Sequence, residues 1–220
     1  MGVIILARHL AHGLGKPALA RLTLVRVMSA AALVCCIVGC HRIPPLDTKP
    51  LDTAGMSYDT IQELKGLQIT APEVTELAAA RQGGLSDSGC VEIVKTYRSR
   101  SQAFDAGDAV AGLVRAQVSE ATILELAKLN QLGLNAGELQ AMRLAGLSDA
   151  ILLEVARHRA AGKPVLAGAS LANLKNVGVR ELTLLELSRR GVPDSQAAAI
   201  ISARHHGASD AELLRRFSGS

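Results

Sequence analysis

The chain has almost no aromatic surface to offer: Tyr58, Tyr97, Phe104 and Phe217 are its only phenyl or phenol rings, and tryptophan is absent. Proteins that read bases or sugars commonly do so by stacking them on such rings, so neither kind of surface is expected. Also missing are a Gly-x-Ser-x-Gly elbow, a Cys-x-x-Cys pair, a phosphate-binding glycine loop and a His-Glu-x-x-His helix. Those arrangements place a nucleophile, a redox couple, a nucleotide or a catalytic zinc. The paired carboxylates that do occur read as helix caps and solvated faces. No enzyme activity, cofactor or metal is therefore expected. No stretch alternates apolar and polar residues as a half-buried strand would, which leaves an all-α fold.

A surplus of charge is missing too, once the chain is divided. Arg8, Lys16, Arg21 and Arg26 precede residue 40 and no acid accompanies them. Taking these four from the 24 Lys and Arg leaves 20, against 20 Asp and Glu, so the chain from residue 40 onward is formally neutral. The pI of about 9.0 belongs to the leader. The usual inference from a basic chain to nucleic acid fails here, and nucleic acid is not an expected partner.

What the leader does have is an apolar run from Val27 to Val38 behind its basic residues, ending in Ile37-Val38-Gly39-Cys40. A helix of that length, at about 1.5 Å per residue, falls short of the roughly 30 Å hydrocarbon core of a bilayer. Residues 1–39 thus resemble a bacterial lipoprotein signal peptide, and residues 37–40 its lipobox: an aliphatic residue, a small or β-branched one, a small one, then cysteine. Cys35 and Cys36 lack the small residue just before them. The resemblance implies cleavage between Gly39 and Cys40, a diacylglycerol thioether on Cys40 and an acyl group, such as palmitate, on the new amino terminus. It makes the membrane the partner through that lipid. His41 stands where such proteins often carry the aspartate that signals inner-membrane retention, which favours the periplasmic face of the outer membrane. About 26 residues before the apolar run is long for a leader and points to a start after Met1, although starting at Met28 would discard every basic residue.

After the cut, Pro44, Pro45 and Pro50, with the echo Pro45-Leu-Asp-Thr and Pro50-Leu-Asp-Thr, mark residues 40–56 as an extended tether. With Cys40 lipidated, Cys90 has no partner in the chain, so no internal disulfide is expected. Cys90 shares an apolar helical stripe with Ile93, Val94 and Tyr97, the setting of an inert structural thiol rather than a nucleophile. The neighbours His205 and His206 point to different sides of one helix. Their place before Gly207 suits a cation at a helix C-terminus better than a metal site.

Residues 57–220 read as a helical repeat domain. Ile69-Thr-Ala-Pro-Glu-Val-Thr-Glu-Leu-Ala and Val118-Ser-Glu-Ala-Thr-Ile-Leu-Glu-Leu-Ala match at an offset of 49, and Leu184-Leu-Glu-Leu echoes Ile123-Leu-Glu-Leu. The expected copies lie near 69–105, 118–162 and 179–217. Their junctions share one grammar: Gly84-Leu-Ser-Asp, Gly133-Leu-Asn-Ala, Gly146-Leu-Ser-Asp, Gly191-Val-Pro-Asp and Gly207-Ala-Ser-Asp. A glycine ends one helix, an aliphatic residue tucks into the core, and Ser86, Asn135, Ser148 or Ser209 caps the next. Glu73, Glu138 and Glu212 stand where capping boxes need them. The expectation is a stack of short helix hairpins, about eight helices in all, with leading and linking helices at 60–65 and 108–115 and a loop at 162–170. These junctions look like the short helical repeats of many uncharacterised bacterial envelope proteins. The role expected of them is protein contact or structural support, with the partner unknown.

One segment is similar to the helix-hairpin-helix DNA-binding module, residues 187–214, through Gly191, Val192, Ala197 or Ala198, and Ile200. That resemblance implies an envelope-tethered DNA-binding protein as the alternative. Pro193 replaces the glycine whose amide would meet a phosphate, and Asp194 brings negative charge to the same place. Repeat packing is the reading preferred for this segment.

Overall fold

The structure, a computed structural model, describes residues 45–133 and 135–217; the leader with Gly39 and Cys40 lies outside them. Among the described residues there are twelve α-helices and no strand. In chain order these are α1 Lys49–Thr53, α2 Tyr58–Gly66, α3 Ala71–Gln82, α4 Asp87–Arg98, α5 Gly107–Arg115 and α6 Glu120–Lys128. There follow α7 Ala136–Leu144, α8 Asp149–Ala160, α9 Gly168–Asn176, α10 Glu181–Arg189, α11 Ala197–His205 and α12 Asp210–Arg216, with a 3₁₀ turn at Asp194–Gln196. None of them is long and apolar enough to cross a membrane.

The twelve helices pair into six hairpins, and the hairpins stack. Odd-numbered helices pack on odd-numbered neighbours and even on even, giving two layers. Leucine, isoleucine, valine and alanine fill the space between them, from Leu51 in α1 to Leu213 in α12. Small residues set the closest approach: a Cβ on Gly83 would lie 2.5 Å from the Ala111 backbone, so α3 and α5 nearly touch. Two of the four rings are spent on the core, Tyr97 and Phe104 meeting edge-to-face at 5.3 Å.

The stack has two unlike edges. Where an odd helix turns into its even partner, the connection is four residues long in all six hairpins: 54–57, 83–86, 116–119, 145–148, 177–180 and 206–209. Each turn contains one residue of positive φ followed by a buried apolar residue, such as Gly84 (φ 106°) then Leu85. The Leu85 amide donates to the Ala80 carbonyl and the Gly84 amide to that of Arg81, the bonding of a Schellman motif. We call this the turn edge. The opposite edge, where an even helix leads to the next hairpin, has loops at 67–70, 99–106, 129–135, 161–167 and 190–196. We call it the loop edge.

An acid ladder runs along the turn edge. The first residue of each even helix reaches back to the cap of the previous one. Asp87 accepts the Ser57 amide (2.9 Å), Glu120 that of Ser86 (3.0 Å), Asp149 that of Ser119 (2.9 Å) and Glu181 that of Ser148 (2.9 Å). Arginines bridge the odd helices in the same way. Arg81 donates to the carbonyls of Gly55 and Leu85, Arg143 to Gln117 and Leu147, and Arg204 to Gly178 and Ala208. The last rung closes on itself. The Ser209 amide donates to Glu212 and the Glu212 amide to the Ser209 hydroxyl, a complete capping box with no further hairpin needed.

The all-α stack agrees with the sequence; several details do not. The tether stops short of residue 56. Lys49–Thr53 is helical, with Pro50 in the first turn, where its missing N–H costs nothing. Leu51 and Met56 are buried, so packing overrides the bias of the prolines. Twelve helices replace the expected eight, the largest omission being Gly168–Asn176 in the stretch expected to be loop. The helix before Gly133 stops at Asn130 (φ 58°), Asn135 makes no side-chain cap, and Ser148 makes none either. Glu138 closes no capping box; its carboxylate goes to Arg159 and to the Gly168 amide.

The offset of 49 is also out of phase, because it lays α3, an odd helix, over α6, an even one. The structural period is a pair of hairpins. Met56-Ser-Tyr-Asp-Thr-Ile-Gln-Glu-Leu64, Val118-Ser-Glu-Ala-Thr-Ile-Leu-Glu-Leu126 and Val179-Arg-Glu-Leu-Thr-Leu-Leu-Glu-Leu187 all span a turn and the start of an even helix.

Candidate functional site

The loop edge gathers the features that the stacking pattern does not require. At its centre is Glu73, fully buried in the first turn of α3. One carboxylate oxygen accepts the Phe104 amide (2.9 Å). The other takes the Thr70 amide (2.8 Å), the Thr70 hydroxyl (2.9 Å) and the Arg98 guanidinium (2.7 Å). Burial alone would raise this carboxyl; the Arg98, Phe104 and Thr70 bonds outweigh it and hold the pKa at about 2. Arg98 also donates to the carbonyls of Leu67, Gln68 and Gln102. Glu73 and Arg98 together tie the end of α2, the start of α3 and loop 99–106 into one joint. Glu138 and Arg159 form a lighter version two hairpins on.

Beyond that joint, loops 99–106 and 129–135 enclose an open cleft of about 650 Å³. Its walls include Gln102, Asp105, Asn130, Gln131 and Asn135, with buried Tyr97 behind them. Side-chain amides donate and accept at once, so the cleft suits a polar, hydroxyl- or amide-bearing group. Arg100 lies over the Tyr97 ring (4.9 Å to its centre) and donates to the Ala127 carbonyl (2.7 Å), fixing one loop to the end of α6. Only the glutamine and asparagine content of these loops was visible in sequence; their meeting across a hairpin joint was not.

Towards the C-terminus the same edge becomes basic. Over residues 135–217, 11 Lys and Arg face 8 Asp and Glu, whereas over residues 45–133 it is 8 against 12. Arg157, Lys163, Arg189, Arg190, Arg215 and Arg216 are all exposed at or beside the ends of α8, α10 and α12. The Arg190 guanidinium donates to the Leu214 carbonyl, which brings the last two of those ends together.

The residues singled out from the sequence scatter. Cys40 and Gly39 lie outside the described residues. Cys90 is buried in α4, and burial, with a smaller push from Asp87, drives its thiol up to about 12, so the nucleophilic thiolate is scarce. His205 and His206 are exposed at the end of α11, where the His206 ring bonds the Ser202 carbonyl at 2.7 Å. Among the described residues no group of three or more His, Cys, Asp or Glu is placed to hold a metal. In the segment similar to a helix-hairpin-helix, Val192, Ala197 and Ile200 are buried, and Asp194 accepts the Ala167 amide at 2.8 Å. Those side chains are spent on hairpin stacking. Comparison with protein-family profiles, curated proteins and solved structures finds no match to the chain.

Proposed function

We propose that the chain is a lipid-anchored bacterial envelope protein whose helical stack serves as a protein-interaction or structural module, with no catalytic step of its own. The lipobox Ile37-Val38-Gly39-Cys40 supplies the address, and the periplasmic face of the outer membrane is the favoured location. The observation that carries the role is the unbroken two-layer stack. Six hairpins in register present side-by-side helices as one extended surface, the form in which helical repeats hold partners. The test is mass analysis of the amino-terminal peptide and membrane fractionation of the full chain beside Cys40→Ala, with crosslinking in intact cells. A diacylglyceryl cysteine at residue 40, loss of membrane retention in the variant and a discrete crosslinked partner are expected. Equal fractionation of the two proteins without acyl mass would overturn the anchor. The alternative is an envelope-tethered DNA-binding protein, supported by the basic C-terminal hairpins and opposed by the packing role of Val192 and Asp194. A salt-sensitive gel shift of duplex DNA would favour it.

A further inference from the structure

We infer that the loop edge is the face the stack lays on the bilayer, with the arginines of its last three hairpins binding the phosphates of anionic phospholipids. The inference rests on the anchor reading above and adds an orientation to it. The first observation is where the chain arrives. Helix α1 begins at Lys49 and its far end carries the Gly55 carbonyl that Arg81 grasps, so α1 runs parallel to α3 and starts at the loop edge. Residues 41–48 span at most about 28 Å when extended. A lipid on Cys40 therefore holds the loop edge of the first hairpin close to the membrane.

The second observation is charge on that same edge at the far end of the stack. The acid ladder aligns the starts of the even helices along the turn edge, so their ends all fall on the loop edge. There the exposed cluster comprises Arg157, Lys163, Arg189, Arg190, Arg215 and Arg216. Nearby acids are engaged: Glu154 with Arg157 and His158, Glu186 with Arg190, and Asp194 with the Ala167 amide. Lys163, Arg189, Arg215 and Arg216 have no carboxylate within ion-pair distance among the described residues. Five of the six are arginine, whose planar fork matches a phosphate bidentately. Hairpins packed about 8–10 Å apart place this cluster some 40–50 Å from the tether. One acyl attachment at one end and a basic patch at the other are two signals on one face, the combination that makes membrane attachment firm.

The test uses the purified acylated protein in vesicles of phosphatidylcholine, with and without one-third phosphatidylglycerol, footprinted by an arginine-selective glyoxal and read by mass spectrometry. Arg189, Arg215 and Arg216 should be labelled at least about fivefold more slowly on the anionic vesicles. Arg180, whose side chain is 85% exposed on the turn edge, is the control and should not change. The double variant Arg215→Glu, Arg216→Glu, on the exposed last turn, should keep the thermal midpoint and lose the protection at Arg189. Equal labelling on both vesicle types, with acyl mass confirmed at Cys40, overturns the orientation and leaves the anchor standing. Absence of acyl mass overturns both. Protection of the same arginines by duplex DNA, but not by anionic vesicles, overturns it in favour of the nucleic-acid reading.

Discussion

The turn edge and the loop edge are built from the same twelve helices, yet they follow different rules. Every turn-edge connection has four residues, one positive φ, one buried apolar residue and, from the second hairpin on, an acid reaching back to its predecessor. The loop-edge connections run from four to eight residues and repeat no such pattern. One edge is therefore fixed by backbone geometry and leaves little room for change. The other is free to vary and carries the cleft, the Glu73 joint and the basic cluster. Where a repeat protein relaxes its rule, function has room to settle.

The comparison can be broken hardest at Glu73. Glu73→Ala removes the acceptor for two backbone amides and leaves Arg98 without its partner, and should cost about 3 kcal/mol in urea unfolding. The same carboxylate sets the acid response. Its pKa falls from 4.5 to about 2 on folding, so its contribution is full above about pH 4.5 and drains away as pH falls towards 2. The amount at neutral pH is about 3 kcal/mol. Urea midpoints should drop between pH 5 and pH 3, and Glu73→Gln should flatten that drop.

A glycine at the loop edge comes next. A Cβ on Gly107 would lie 2.0 Å from the Glu76 carbonyl oxygen, whereas one on Gly137 meets nothing within 4 Å. Gly107→Ala should lose roughly 2 kcal/mol or more by forcing backbone to move, and Gly137→Ala should gain up to about 1 kcal/mol by restricting the unfolded chain. Thermal melts of the pair would decide it. Breaking a turn-edge rung is milder. Asp87→Ala removes an acceptor for the Ser57 amide and the Thr60 hydroxyl and should cost about 1–2 kcal/mol, read as faster amide exchange at Ser57. The smallest effect runs the other way: Gln117 sits at φ 62°, so Gln117→Gly should stabilise by about 1 kcal/mol.

What could be read from sequence follows the same division. The grammar of Gly84-Leu-Ser-Asp is local, since a left-handed stop, a buried aliphatic residue and a cap are all specified within four positions. The turn edge was legible wherever glycine marked it. It was missed where Gln68, Ser101, Gln117 and Asn130 adopt the same positive φ without the marker. Helix α1 was hidden because prolines dominate its surroundings and only tertiary burial of Leu51 reveals it. The loop edge was largely invisible. Glu73 was read as a cap for Thr70, and nothing near it in sequence announces Arg98 or Phe104. The basic cluster was masked by arithmetic, since a neutral total conceals an acidic first half and a basic second half.

The Arg81, Arg143 and Arg204 bridges recur only in alternate hairpins, 62 and then 61 residues apart, and the even helices between them begin with Glu120 and Glu181 instead of aspartate. The cassette of this architecture is accordingly two hairpins long. One more cassette spliced in at a matching joint would meet its own complement on both sides, while a single hairpin would set arginine and aspartate against the wrong neighbours. The stack is thus a ruler graduated in steps of about 16–20 Å. Relatives of different length should differ by whole graduations, each moving the arginine tip that much further from the lipidated end.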